Sequence, residues 1–278
     1  MDDASPRDSE GHRARRRAKR SLGQNFLVDA NLQRRIVAAL GAPPTAEVLE
    51  IGPGRGALTD HLAGGVRRLV LVELDDDLAA ELAERYARRP DVHVVHANFL
   101  DVELAALSDD PSRLRVVGNI PYNITTPIIF KLLERPRPLD VVLMVQDDVA
   151  DRLVGAVGTK AYGALSVGVR AVAEVERLFR VGRGAFRPVP GVDSAVVRIR
   201  AFRPERLGPD QEAAVRRLVR AAFQWRRKQL GRILRDHPDL GLAPEAAELA
   251  AAAAGVELAN RPERLTPEQF VALATALP

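Results

Sequence analysis

The chain has 278 residues, 46% of them hydrophobic and 28% charged. That is enough apolar matter for a sizeable core and rules out disorder over most of the length. It has no cysteine, which excludes disulfide frameworks, thiolate zinc sites and thiol nucleophiles together and fits a reducing, cytoplasmic setting. No run reaches the 18 or so apolar residues of a transmembrane helix. No apolar segment follows the charged N-terminus as in a secretory signal, so a protein without membrane association is expected.

Residues 1–20 carry seven basic and four acidic side chains with no apolar periodicity, the pattern of a mobile basic tail. Leu32, Ile36, Val37 and Leu40 recur at helical spacing and predict a helix over Asn31–Leu40, ended by Gly41-Ala-Pro-Pro. Glu47–Ile51 reads as an apolar strand running into Gly52-Pro-Gly54-Arg-Gly56, after which Ala57–Leu62 opens a helix. Arg68–Leu74 is a second strand, Asp76–Tyr86 a helix and Val92–His96 a third strand, followed by Asn98-Phe-Leu-Asp101. Leu114–Val117 is a fourth strand and delivers Gly118-Asn-Ile-Pro-Tyr122. Thr126-Pro127 caps a helix to Leu133, and Asp140–Val145 is a fifth strand.

Strands that are almost wholly apolar and alternate with helices belong to a parallel sheet covered on both faces. Glu174–Val181 and Ser194–Phe202 alternate as a hairpin closing one sheet edge, and after Pro204 the pattern turns helical. The expectation is an α/β, Rossmann-like sheet, mostly parallel with an antiparallel edge hairpin, over residues 21–202. A small all-helical domain would follow over 203–278. No internal repeat is visible, and the Ala250–Ala254 run fits a helix interior.

The net charge of +4 hides an asymmetry: residues 21–179 are net −5 and residues 180–278 net +6. Arg216–Arg235 contains eight basic residues and no acid. Taken alone, this run reads equally well as solvated helix faces or as a surface facing a polyanion.

The order strand, Gly-x-Gly-x-Gly, helix, then an acid at the end of the next strand is a nucleotide-binding arrangement. Glu73 lies 21 positions after Gly52, where a carboxylate can accept both hydroxyls of a ribose. The spacing departs from the G-x-G-x-x-G of dinucleotide sites, and Pro53 removes one backbone donor. No Lys-Ser/Thr of a phosphate-binding P-loop follows. A ligand with adenosine but no phosphates fits better, and S-adenosyl-L-methionine is the obvious one.

Asn119-Ile-Pro-Tyr122 sits at the carboxyl end of the fourth strand, where open α/β sheets place their chemistry. Its parts suit an amino group on a planar base. The Asn119 oxygen can accept one N–H, Pro121 stiffens the loop so that nearby carbonyls can accept the other, and Tyr122 offers a stacking face. Such acceptors would draw the nitrogen toward tetrahedral geometry and free its lone pair for attack on a sulfonium methyl, without a strong base.

Ser21-Leu-Gly-Gln-Asn-Phe-Leu27, Leu49-Glu-Ile-Gly-Pro-Gly54, Asn119-Ile-Pro-Tyr-Asn-Ile124 and Phe186-Arg-Pro-Val-Pro-Gly-Val-Asp-Ser-Ala-Val-Val197 stand in a familiar order and spacing. In these motifs the chain resembles the ribosomal RNA adenine dimethylases over roughly residues 19 to 275. Gly158-Thr-Lys-Ala-Tyr-Gly-Ala-Leu-Ser166, Ala222-Phe-Gln-Trp-Arg-Arg-Lys228 and Leu265-Thr-Pro-Glu-Gln-Phe270 place it in their small-subunit branch.

The resemblance implies a class I methyltransferase sheet. It implies dimethylation at N6 of two adjacent adenosines in a hairpin loop near the 3′ end of 16S rRNA, within the small ribosomal subunit. S-adenosyl-L-methionine would be the donor and S-adenosyl-L-homocysteine the product. Asn25 and Leu27 would line the methionine side, Gly52 and Gly54 would pass beneath the cofactor, and Glu73 would hold the ribose. Asn98 stands where the family usually has Asp, and its amide oxygen can still accept from the adenine amino group. Asn119, Pro121 and Tyr122 would bind the target base, with Phe186 on its opposite face. Arg216, Arg217, Arg220, Arg226, Arg227, Lys228, Arg232 and Arg235 would hold rRNA phosphates, joined by the Arg13–Arg20 run. A monomer without metal is expected.

His12, His61, His93, His96 and His237 show no metal-ligand spacing and read as structural or surface groups. Asp75, Asp76 and Asp77 read as a helix cap and first-turn acids. Trp225 reads as a packed helix residue rather than a base platform, and Ser166 and Ser194 lack a hydrolase context. Three other functions compete: a 23S rRNA methylase of the macrolide-resistance type, a largely non-catalytic ribosome-assembly factor, and a DNA adenine methylase.

Overall fold

The computed structural model describes residues 24–278. The basic tail over 1–20 and the start of the Ser21–Leu27 motif lie outside the described residues. In chain order the elements are β1 (Phe26–Leu27), α1 (Ala30–Leu40), β2 (Glu47–Ile51), α2 (Thr59–Leu62), β3 (Arg68–Glu73), α3 (Asp76–Arg85) and β4 (Val92–His96). Next come α4 (Leu104–Leu107), β5 (Arg115–Asn119), α5 (Thr125–Leu132), β6 (Asp140–Gln146), α6 (Asp147–Val154), α7 (Ala164–Arg170), β7 (Ala173–Val181), β8 (Phe186–Arg187) and β9 (Ser194–Ala201). Four helices close the chain: α8 (Pro209–Gln224), α9 (Leu230–Asp236), α10 (Pro244–Ala253) and α11 (Pro267–Ala276).

Seven strands form one sheet in the order β4-β3-β2-β5-β6-β9-β7. The first five run parallel, β9 is antiparallel to β6, and β7 is antiparallel to β9 at the edge. The expected Rossmann-like sheet with an antiparallel edge is therefore the observed one. Its central strands β2, β5 and β6 are largely apolar and buried because both faces are covered. Leu49, Ile51, Val116 and Leu143 face α5, α6 and α7 through Ile128, Leu153 and Leu165. Val48, Leu71, Val117 and Met144 face α1 and α3 through Ile36, Leu40 and Leu82. Neighbouring residues point to opposite sides, as strand geometry requires.

The order of strands reverses between β2 and β5, so the loops after these two strands open a crevice at the carboxyl edge. Gly118 sets the closeness of that junction. It pairs with Ile51, and a Cβ there would come within 2.8 Å of the Ile51 carbonyl oxygen.

Local differences from the sequence reading have local causes. The glycine turn extends to Leu58, so α2 is a single turn starting at Thr59 rather than at Ala57. Thr126 lies inside α5, whose N-cap is Ile124 with no side-chain capping bond. The expected capping by Thr126-Pro127 is absent because a 3-10 turn over Tyr122–Ile124 leads directly into the helix. Asp75 caps α3 by accepting from the amides of Asp77 and Leu78, and Asp76 and Asp77 occupy its first turn, as expected.

The C-terminal helices share a core of Val215, Leu218, Leu230, Leu234, Phe270 and Leu273, which also recruits Tyr162, Val167 and Ala171 from before residue 203. Polar contacts add to that junction. Arg137, buried in the loop before β6, pairs with buried Glu212 of α8 and, at 3.0 Å, with Glu205. Burial alone would raise the Glu212 carboxyl, but hydrogen bonds from Arg137 and Arg135 hold it below the usual range. No helix among the described residues is long and apolar enough to cross a membrane.

Candidate active site

A cavity of about 370 Å³ fills the crevice between the β2 and β5 loops. Its walls include Asn25, Leu27, Gly52, Gly54, Glu73, Asn119, Pro121 and Tyr122, so eight of the sequence-predicted residues meet in one place.

The glycine loop is shaped by three residues in the left-handed region, Gly52, Gly54 and Gly56, with φ of 64°, 58° and 79°. Non-glycine residues rarely adopt this backbone. Each glycine amide already has a protein acceptor. Gly52 donates to the Val72 carbonyl (2.9 Å), Gly54 to Glu73 Oε2 (2.9 Å) and Gly56 to the Pro53 carbonyl (2.9 Å). Pro53 has no amide to offer. The glycine amides are therefore not free to converge on a phosphate, and an adenosyl group without phosphates fits the loop.

Glu73 ends β3 beside this loop. Its two oxygens accept from the amides of Gly54 and Asp75, each at 2.9 Å. Burial raises its pKa, while those backbone donors work against the shift. Each oxygen keeps a lone pair, so the carboxylate is held in place with acceptor capacity for ribose hydroxyls.

The segment Gln24–Val28 forms the opposite wall. Gln24 Nε2 donates to Asp75 Oδ2 at 2.9 Å, and β1 pairs antiparallel with β8. The Phe26 ring lies under the Arg55 guanidinium, 4.4 Å from its centroid. A Cβ on Gly54 would come within 3.3 Å of that ring. This short stretch is thereby bound to Asp75, to β8 and to the glycine loop.

Asn119 ends β5. Its Nδ2 donates to the Asn25 carbonyl oxygen at 3.0 Å. A carbonyl can only accept, so this contact fixes the amide nitrogen on the Asn25 side and leaves Oδ1 as the free acceptor of a side chain that lines the cavity. Tyr122 follows on the 3-10 turn. Its hydroxyl is 2.7 Å from Ser194 Oγ, which sets the ring's position, and burial raises its pKa. No sequence signal linked Tyr122 to Ser194, because 72 residues separate them.

Glu50 was missed, although a lone acid inside an apolar strand was a visible signal. It is buried, lines the cavity and accepts from Thr59 Oγ1 at 2.7 Å. Burial pushes its pKa up to about 8, with Glu73 and Asp60 adding to the rise.

Two expected positions are not among the residues lining this cavity. Phe186 does not face the cavity: its ring is fully buried in the core with Val181 and Val196. Its backbone pairs with Leu27, so β8 braces the cavity wall while the ring joins the same core cluster as the Leu27 side chain. Asn98 is not a cavity residue either. Its Oδ1 accepts from the Leu100 amide and its Nδ2 donates to Asp101 at 2.8 Å, which makes it the cap of a 3-10 turn.

The basic residues divide into two groups. Arg226, Arg227, Lys228 and Arg232 surround a second cavity of about 350 Å³ with Trp225, whose ring centroid is 5.0 Å from that of His237. Arg216 and Arg220 lie on the exposed side of α8, near Glu212 (3.7 Å) and Asp239 (3.9 Å). Arg226 is already engaged, donating to Glu263 at 2.7 Å and to the carbonyls of Thr159 and Lys160.

Residues 15–277 match the family model described as ribosomal RNA adenine dimethylase. A protein of Geobacter metallireducens named ribosomal RNA small subunit methyltransferase A is 41% identical over 264 residues, 94% of this chain and 96% of that one. One of the same name from Chlorobium luteolum is 46% identical over 219 residues, 78% of each chain. The crystal structure of the 23S rRNA methyltransferase ErmE superposes with a TM-score of 0.70 at 31% identity, covering 91% of this chain and 99% of that one. A dimethyladenosine transferase from Plasmodium falciparum gives a TM-score of 0.75 at 24% identity and shares the fold, covering 89% of this chain and 95% of that one. The family match over residues 15–277 spans every motif that meets in the cavity, and the chain belongs to the ribosomal RNA adenine dimethylase family.

Proposed function

We propose that this protein dimethylates N6 of two adjacent adenosines in a hairpin loop near the 3′ end of 16S rRNA, in the small ribosomal subunit or its precursor. S-adenosyl-L-methionine is the donor and S-adenosyl-L-homocysteine the product. The observation that carries the reading is the anchored Asn119 carboxamide, whose free acceptor lies in the same cavity as the Glu73 and glycine-loop cradle.

Glu73 holds the ribose, Gly52 and Gly54 pass beneath the cofactor, and Asn25 and Leu27 line its methionine side. When bound, the cofactor supplies an electrophilic methyl on sulfur. Asn119 Oδ1 accepts one N–H of the adenine amine and carbonyls of the Pro121 turn accept the other, so the nitrogen lone pair is turned toward the methyl. The methyl would pass from sulfur to this nitrogen, leaving the neutral thioether, and the alkylated amine would lose its proton to solvent, so no side chain has to act as a strong base. Tyr122 stacks on the base, offsetting part of the stacking lost when it leaves the RNA loop. Residues 21–202 perform the transfer and residues 203–278 hold rRNA, with Arg216, Arg220, Arg227, Lys228 and Arg232 on phosphates. The site needs no metal, and a monomer in the cytoplasm suffices.

Small-subunit relatives at 41% and 46% identity, against 31% for the 23S enzyme, favour 16S over 23S rRNA as substrate. Labelled methyl incorporation into ribosomal subunits from a methylase-deficient strain, followed by nucleoside analysis, tests this. N6,N6-dimethyladenosine in 16S rRNA is expected. Label confined to 23S rRNA would move the protein to the other substrate.

A further inference from the structure

The strongest apolar exposure near the cavity lies outside the residues assigned so far. Val28, Val189 and Val192 are 50%, 55% and 46% exposed. Val28 lines the cavity and donates its amide to the Ala185 carbonyl at 2.8 Å. Val189 is two residues beyond Arg187, the β-partner of the cavity residue Phe26. Val192 is two residues before Ser194, the hydroxyl partner of Tyr122. Two residues of extended chain span about 7 Å at most, so both valines lie on a loop close to these two supports of the cavity wall, though outside its lining.

The loop that presents them is anchored. Pro188 and Pro190 restrict its backbone, and Pro190 is buried between the two exposed valines. Asp193 accepts the Arg183 amide through Oδ1 at 3.0 Å, and its carbonyl accepts the Asp147 amide at 3.0 Å. Exposed Arg183 and Arg187 flank the loop, Arg187 donating through one guanidinium nitrogen to the carbonyls of Gly184 (3.1 Å) and Phe186 (2.7 Å) while the residue stays exposed. A fixed apolar ridge bordered by cations beside a base-sized cavity matches an unstacked nucleic-acid strand, which offers bare base faces and phosphates together.

We infer that Val189 and Val192 form an apolar wedge for single-stranded RNA. They cover the base face left bare next to the extruded adenosine, while Arg183 and Arg187 meet the adjoining phosphates. The wedge rests on rRNA being the substrate. Two adjacent target adenosines make it useful twice, since whichever is extruded leaves its neighbour with an open face.

The test compares V189S/V192S with V189I/V192I in the full chain, using undermethylated small subunits as substrate and calorimetric titration with S-adenosyl-L-homocysteine. The Ser pair is expected to raise KM for the particle about tenfold at unaltered cofactor affinity, and the Ile pair to keep the wild-type KM. An unchanged KM in the Ser pair, or equal damage from the Ile pair, overturns the wedge. Concentration-dependent sedimentation of the wild type, lost in the Ser pair with KM unchanged, would assign the ridge to a second copy and also overturn it. A wild-type protein that labels no small-subunit RNA refutes the substrate reading itself, an outcome distinct from either.

Discussion

The Asn119 carboxamide hangs from the main-chain carbonyl of Asn25, 94 residues away, by a 3.0 Å hydrogen bond. The N-terminal wall of the cavity therefore decides which end of the side chain the amine meets. Asn119→Ala removes the acceptor and is expected to lower methyl transfer about 10²–10³-fold, by analogy with loss of one oriented polar group at a reacting centre. Asn119→Asp sets a carboxylate oxygen against the Asn25 carbonyl and is expected to lose as much. Particle binding stays within about twofold in both. Labelled methyl incorporation and sedimentation with small subunits read the two effects separately, and near-normal labelling by either variant would mean that the amine is held by some group other than Asn119.

Glu73 serves the fold and the ligand with the same two oxygens. Glu73→Gln turns one acceptor into a donor that faces the amide of Gly54 or Asp75. The expected stability loss is about 1–3 kcal/mol, the usual range for an unsatisfied buried donor. A tenfold or greater loss of S-adenosyl-L-homocysteine affinity should accompany it. Urea unfolding and calorimetric titration measure the pair. Loss of affinity without loss of stability would show that the backbone bonds to Glu73 are dispensable.

Glu50 makes stability depend on pH in a defined direction. Its pKa rises from an ordinary 4.5 to about 8 in the fold because burial disfavours the charge. The folded state thus binds more protons than the unfolded state between those values, and stability falls as pH rises through that window. Its favourable contribution is complete below about pH 4.5 and gone above about pH 8. Glu50→Gln, which stays neutral, should gain on the wild type progressively from pH 5 to 8.5 in thermal unfolding. A constant difference across that range would contradict the shift.

The basic turn separates structural from RNA-facing charge. Arg226 is tied to Glu263 and two carbonyls, whereas Arg227 and Lys228 are less engaged and border the second cavity. Replacing Arg227 or Lys228 with Ala should reduce the slope of log affinity against log salt by about 0.7–0.9 each, with little change in Tm. Arg226→Ala should instead lower Tm. Filter binding at several salt concentrations, with melting curves, distinguishes them; equal slopes in wild type and in both of these variants would take the two residues off the phosphates.

Much of the sheet was legible because Glu47–Ile51, Arg68–Glu73 and Asp140–Gln146 carry apolar runs that only a doubly covered strand can bury. The glycine loop and the Asn119–Tyr122 turn were legible because their residue types impose backbone shape. The β1–β8 pair was not, since strands of two residues have no period to read. The burial of the Phe186 ring was not legible either, because it depends on how that two-residue strand packs on the core. The capping bonds of Asn98 were not legible because they form only once the 3-10 turn does. The 72-residue link from Tyr122 to Ser194 exists only once β6 and β9 lie side by side.

The internally satisfied amides of Gly52, Gly54 and Gly56 have a thermodynamic consequence. A loop whose three glycine amides are spent on its own chain is ordered by folding rather than by its ligand. Contacts made there on binding are therefore not offset by freezing a floppy segment. The donor molecule meets a rigid floor at every one of its successive visits, and spent product leaves that floor unaltered for the next.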